Sequence, residues 1–182
     1  MEEYAYVLDY LPQGLPDMKK FHREPIVYAI GEKEFKILEM VPRDEADFVI
    51  GERVYVGKEM EKRDKIKAVK RRISYEDLTH AAKEELQYVL EDIVRKQEER
   101  FVEFFNTAQP ITTRLHSLEL LPGLGKKTMW AILEERKKRP FSSFTDICER
   151  VSTLRHPEKL IVKRIIHELE NPKEKYRIFV RS

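Results

Sequence analysis

Cysteine is almost absent from this 182-residue chain, and the single Cys148 excludes a disulfide framework; in its apolar helical context it reads as a small buried hydrophobe rather than a reactive thiol. The five histidines, His22, His80, His116, His156 and His167, show no Cys/His spacing suited to zinc, so neither a metal nor another cofactor is expected. No apolar run approaches the roughly 20 residues of a membrane span, and no basic-then-apolar leader opens the chain. The expectation is a cytoplasmic protein with no membrane partner. A phosphate loop of the Gly-x-x-x-x-Gly-Lys-Ser/Thr type is also missing, because Gly125-Lys126-Lys127-Thr128 departs from it by one residue. Asp44-Glu45-Ala46-Asp47, which spells a helicase motif, is therefore a chance match in a loop between strands. Asparagine and glutamine are scarce while 37% of the residues are charged, a thermophile-like composition.

What the chain does have is segregated charge. Its formal net charge is only +2, yet residues 1–57 hold 7 Lys/Arg against 12 Asp/Glu, residues 58–72 hold 8 against 3, residues 73–107 hold 4 against 9, and residues 108–182 hold 16 against 9. An acidic body with two basic zones points to localised contact with a polyanion. For any single lysine or arginine, the competing reading is a solvated surface residue.

The first part reads as strands. Tyr4–Leu11 is aromatic and β-branched and is broken by Pro12–Pro16; segments 25–30 and 35–41 flank the hairpin signal Gly31-Glu32-Lys33; 52–57 and 65–73 supply two more strands. Five short strands in about seventy residues predict a small closed barrel over 1–73, OB-like in the first instance, with an SH3-like barrel as the alternative. The fifth strand carries Lys65, Lys67, Lys70, Arg71 and Arg72, which with Lys58, Lys62 and Arg63 would form a basic strip on the rim. Tyr4, Tyr6, Tyr10, Tyr28 and Tyr55 could offer stacking faces beside it, a combination suited to single-stranded nucleic acid. Against this stands the reading in which the tyrosines fill the barrel core and the lysines guard an edge strand. Lys67, Lys70 and Arg71 are the candidate contacts here.

From Ser74 onward the pattern is helical. Ser74-Tyr75-Glu76-Asp77 resembles a capping box with Asp for Glu, and Leu86, Val89, Leu90, Ile93, Phe101, Phe104 and Phe105 recur at threes and fours, predicting one long acidic helix over 79–106, with Thr79 as an alternative cap. A coiled-coil dimer through this helix is disfavoured by its short heptads, and a monomer is expected. Residues 176–180 alternate like a strand and are expected to return to the barrel.

The second basic zone holds the most specific signal. Leu120-Leu121-Pro122-Gly123-Leu124-Gly125-Lys126-Lys127-Thr128 sits between two helix-like segments in a hairpin over 112–139. Pro122 cannot continue a helix, and the glycines permit a sharp reversal. The free N–H groups opening the second helix, at the positive end of its dipole, suit an anion, and Lys126, Lys127 and the Thr128 hydroxyl can add contacts. An αα-turn whose glycines serve only the bend is the alternative.

These residues resemble the helix-hairpin-helix family of DNA- and RNA-binding modules that do not read sequence. Arg136 and Pro140–Ile147 look like the connector of tandem modules, and 145–170 like a degenerate second copy in which Leu154-Arg155-His156-Pro157 replaces Gly-x-Gly; Met129 stands where the family usually has a small residue. The resemblance implies phosphate contact at Gly123, Gly125, Lys126, Lys127 and Thr128, with Leu124 inside the same turn. Base-excision glycosylases share the motif but need a catalytic Lys or Asp in a larger helical body, and Glu135-Arg136-Lys137 lacks the acidic residue a nuclease signature requires. Asp146 reads as a helix cap. Over nearly its full length the chain also resembles an uncharacterised archaeal family of predicted RNA-binding proteins that pair an OB-like domain with a helix-hairpin-helix domain. That implies an α+β protein, a five-stranded OB-like barrel followed by an all-helical domain over 74–182, and RNA ahead of DNA as partner. The expectation is thus a non-catalytic nucleic-acid-binding protein. A protein-interaction module of a ribosomal, transcription or repair assembly, and a cryptic nuclease, are the alternatives.

Overall fold

A computed structural model describes residues 1–16 and 23–182. Period-two burial organises its first part into β1 (Tyr4–Leu11), β2 (Ile26–Gly31), β3 (Ile37–Pro42), β4 (Arg53–Tyr55) and β5 (Ile66–Ile73), each within two residues of where β-branched and aromatic content placed it. All pairings are antiparallel and the sheet order is β4-β1-β2-β3-β5. Register shifts within β1–β2 and β3–β5 increase local twist. The sheet curls so that Ala5, Val7, Val54 and Val56 share one core with Leu38, Met40 and Ile66.

The expected closed barrel is corrected to a half-barrel. Strand β4 has only three residues and pairs with β1, and among the described residues no ladder joins it to β5. Side chains span the seam instead: Arg63 donates to the carbonyls of Gly57 (2.7 Å) and Val56 (3.1 Å), and Lys65 Nζ reaches the Glu52 carboxylate (2.6 Å) and the Asp47 carbonyl (2.9 Å). The central strands bury both faces, which settles two of the tyrosines: Tyr6 and Tyr28 are core residues, each 2% exposed. Asp44–Asp47 lies in the β3–β4 connection.

Two buried carboxylates tie down irregular chain. Glu2 accepts the N–H groups of Lys33, Glu34 and Lys36 in the β2–β3 turn, where the buried Phe35 takes a φ of 57°. Glu168 accepts those of Ile178 (3.0 Å), Phe179 (3.1 Å) and Val180 (2.9 Å). The tail strand expected over 176–180 therefore does not form, because its donors are committed to a carboxylate and not to a ladder. Arg181 N–H does reach the carbonyl of Glu34 (3.1 Å).

Five α-helices follow: α1 (His80–Lys96), α2 (Glu98–Thr107), α3 (Lys126–Lys138), α4 (Phe144–Arg150) and α5 (Pro157–Glu170). The Ser74–Asp77 capping box closes a 3-10 turn, while Thr79 caps α1, accepting from Ala82 N–H (3.1 Å) and donating to Asp9 (2.6 Å). The single helix expected over 79–106 is broken at Gln97, whose φ/ψ of −112°/37° is not helical. Charge suits the break: Arg95 and Lys96 close α1, Glu98 and Glu99 open α2, and each pair complements the dipole it faces. The chain divides into two compact units, Met1–Val89 with Glu168–Ser182, and Leu90–His167, so the division falls within α1 and α5 rather than at the expected 73/74. Among the described residues, no helix is long and apolar enough to cross a membrane.

Candidate nucleic-acid interface

The hairpin before α3 is built from a few anchored side chains. A bridge between Pro110 and His116, with the Leu115 carbonyl accepting the N–H groups of Ile111 (2.8 Å) and Thr112 (3.0 Å), holds residues 110–116 out of helical geometry. The first helix expected in the 112–139 hairpin is thereby reduced to one 3-10 turn, Ser117–Leu120. His116 caps it: Nδ1 accepts the Leu118 N–H (3.1 Å), and Glu119 accepts the His116 N–H (3.1 Å). Burial pushes the His116 imidazole below its ordinary value, with the Arg136 charge acting in the same direction. Both the shift and the hydrogen bond favour the neutral ring, since only a neutral imidazole offers an accepting Nδ1.

Leu121, Leu124 and Met129 are buried and fix the turn, and the Leu124 N–H closes on the Leu121 carbonyl at 3.1 Å. Gly123 sits at a φ of +89°, a conformation other residues adopt only under strain. Gly125 is the N-cap of α3, extended at −91°/179°, and has no side chain with which to cap. The first bond into the helix runs from Met129 N–H to the Gly125 carbonyl (3.0 Å), so the N–H groups of Lys126, Lys127 and Thr128 find no acceptor among the described residues. Space above them is open: a Cβ on Gly125 would meet nothing within 4 Å, and one on Gly123 only Leu160 at 3.7 Å.

The family of proteins of unknown function designated DUF655 matches residues 1–181. The chain belongs to that family. An uncharacterised protein of Methanocaldococcus jannaschii is 52% identical over 181 residues, covering 99% of this chain and 80% of the relative. A DUF655 protein from Archaeoglobus fulgidus, known from a crystal structure, superposes with a TM-score of 0.92 at 53% identity, covering 99% of this chain and all of that one.

The side chains of the turn in this DUF655 protein divide by what they already do. Lys127 is exposed and has no partner among the described residues. Lys126 is exposed but ion-paired with Glu119, and this ammonium, with the His116 N–H, holds the Glu119 carboxyl below the usual range. The Thr128 hydroxyl shares a hydrogen bond with Thr153 (2.8 Å). Leu124 is a correction: its side chain is buried and its N–H is spent on the turn, so it shapes the site without offering a contact.

The opposite end of α3 is closed by Arg150, which sequence reasoning missed. Its guanidinium donates to the carbonyls of Glu135 (2.5 Å), Arg139 (2.8 Å) and Pro140 (3.3 Å), and pairs with Asp146 (3.0 Å) and Glu135 (3.3 Å). Asp146 in turn accepts the Ser142 N–H (3.0 Å) while Ser143 caps α4. The α4–α5 turn repeats the backbone bond of the first, Leu154 N–H to the Val151 carbonyl at 3.0 Å, with both side chains buried, but it has no glycine. It buttresses the first turn through Thr153, and Arg164 of α5 donates to the Leu120 carbonyl (3.4 Å). Cys148 is half-buried rather than buried; its thiol donates to the Arg155 carbonyl (3.1 Å), and burial raises its pKa.

In the first unit the basic strip lies on β5, an edge strand. Lys70 and Arg71 both face the buried Glu39 carboxylate (3.7 and 3.2 Å), Arg72 donates to the Arg181 carbonyl (2.5 Å), and Lys67 alone of the three candidates has no partner among the described residues. The half-buried tyrosines are engaged as well. Tyr4 and Tyr55 pack edge to face at 5.4 Å with Arg53 over the Tyr4 ring, and Tyr10 packs on Phe48 at 5.0 Å. The described residues contain no group of three or more His, Cys, Asp or Glu that could hold a metal, and His22 of the sequence set lies outside them.

Proposed function

We propose that this DUF655 protein is a non-catalytic nucleic-acid-binding protein whose first hairpin, a helix-hairpin-helix, holds a backbone phosphate without reading sequence. The observation that carries the reading is the uncapped N-terminus of α3. Among the described residues, three consecutive N–H donors there find no acceptor and Lys127 beside them no partner, and two glycines leave the approach open. An anion supplies what this end lacks: an acceptor for the donors and a charge opposed to the positive dipole end. Contacts of this kind position a strand and carry no sequence information. The curled five-stranded sheet supports an OB-like reading of the first unit, which acts as scaffold or weak second contact since most of its basic strip is neutralised. RNA is put ahead of DNA on the near-full-length resemblance to predicted archaeal RNA-binding proteins, since the hairpin motif itself serves both.

Fluorescence anisotropy of labelled single-stranded RNA between 50 and 200 mM salt tests this. Lys127→Ala is expected to weaken binding and to reduce the slope of log affinity against log salt by about 0.7, the value for one lost single-strand phosphate contact. Unchanged affinity and slope in the folded variant would overturn the reading.

A further inference from the structure

The chain has one tryptophan, and the fold leaves it out of the core. Trp130 is 60% exposed, while its neighbours on α3, Met129 and Ile132, are 4% and 0% exposed. An indole offers more apolar area for burial than almost any other side chain, so holding it in water forgoes a large gain. Among the described residues it stacks on no ring, meets no cation and makes no hydrogen bond. Its setting is basic. At about 100° per residue, Lys126, Lys127, Trp130 and Lys137 share one sector of α3, with Trp130 nearly opposite the buried Ile132 and with Glu134 the one acidic residue among them; Lys126 is paired with Glu119. Trp130 is the i+4 neighbour of Lys126 and the i+3 neighbour of Lys127. Helical side chains lean toward the helix N-terminus, which directs the indole over the first turn, where the free N–H groups lie.

We propose that Trp130 is a stacking platform for an unpaired base, so that the hairpin takes single-stranded rather than duplex nucleic acid. The proposal rests on the phosphate reading above and assigns the ligand's strandedness. One helical turn separates the phosphate donors from the ring, a span that the sugar of a single nucleotide bridges. A phosphate held at Lys126–Thr128 thus delivers its own base, or the next one, to the indole face. Duplex bases are stacked on one another and have no face to offer. Lys127 and Lys137, exposed and without partners among the described residues, outnumber Glu134 in this sector and favour a polyanion as occupant, and base–aromatic stacking next to cations is how proteins hold single strands without reading them.

Because Trp130 is the only tryptophan, its emission reports the contact directly in the intact protein. Titration with a 12-nucleotide oligoadenylate should quench the emission, whereas the same strand paired with oligouridylate should leave it unchanged. Trp130→Ala should bind the single strand roughly 5- to 100-fold more weakly, Trp130→Phe should keep most of the affinity, and neither should change duplex binding. The ring is exposed, so both variants fold, and circular dichroism checks this. Binding of oligoadenylate by anisotropy with unchanged emission overturns the proposal, as does equal weakening of single strand and duplex in Trp130→Ala. If Lys127→Ala weakens binding and Trp130→Ala does not, the phosphate site stands and the stacking role falls. If neither oligonucleotide binds, both readings fall together, and Trp130 is left as an anchor for a protein partner.

Discussion

Strand β5 and the first turn of α3 are both basic, and the fold treats them differently. On β5, Lys70 and Arg71 converge on the buried Glu39, and Arg72 is bound to a backbone carbonyl. Those cations neutralise a carboxylate that burial would otherwise penalise, and they guard the edge of a sheet. On α3, Lys126 is paired with Glu119, but Lys127 has no partner among the described residues and stands beside three N–H donors that find no acceptor there and an open approach. A count of lysines and arginines weighs the two alike. Their partners do not, and a surface available to a polyanion is one whose charge has not already been spent inside the fold.

The contrast is broken most severely at the capped end of α3. Arg150→Ala removes a nearly buried guanidinium that satisfies three carbonyls and two carboxylates, and should cost about 3 kcal/mol of stability, read as a fall in the urea midpoint. A loss under about 1 kcal/mol would mean that the closed end of α3 does not set its position. Gly123→Ala comes next: at a φ of +89° a side chain is strained, with an expected loss of roughly 1–3 kcal/mol, while the same change at Gly125, which is extended, should be nearly silent. Equal costs at the two glycines would contradict the turn geometry.

A smaller effect belongs to pH. The His116 pKa is depressed in the fold by burial, so its stabilising contribution is fully present above the unfolded value near 6.5 and is lost as pH falls through the lower folded value. Protonation also removes the acceptor of the Leu118 N–H. Urea midpoints should drop more between pH 7.5 and 5.5 in the natural protein than in His116→Asn, which keeps a capping oxygen that does not titrate. The smallest stability change is also the most diagnostic. Gly125→Asp places a capping carboxylate at an unoccupied N-cap, and should raise stability by only a few tenths of a kcal/mol. It should nonetheless weaken nucleic-acid binding, since the new oxygen takes the place intended for phosphate.

The strands were legible because their signals are local: alternation and β-branching mark Tyr4–Leu11 and Ile66–Ile73 within a residue, whatever packs on them. The open seam was not, because closure depends on the length of β4 and on Arg63 and Lys65 finding their acceptors. Periodicity continues through Gln97, so it predicted one helix where two form; the charge reversal from Arg95-Lys96 to Glu98-Glu99 was the available sign of the break. The tail alternates like a strand, but a buried glutamate ten residues upstream claims its donors. In the candidate site, the glycines and lysines of the turn were visible as a motif. Leu124 proved to be an anchor, and Arg150 and Trp130 were missed: nothing near Arg150 in sequence announces its acceptors, whereas a helical wheel of 126–138 does set Trp130 among the lysines.

The most direct test of the central claim compares the two basic regions in one experiment: amide chemical-shift changes of the ¹⁵N-labelled protein during titration with single-stranded RNA. The account predicts that the largest shifts fall on the N–H groups of Lys126, Lys127 and Thr128 and on the Trp130 indole, with Lys67–Arg72 little changed. Shifts concentrated on Lys67–Arg72, with the start of α3 silent, would contradict it.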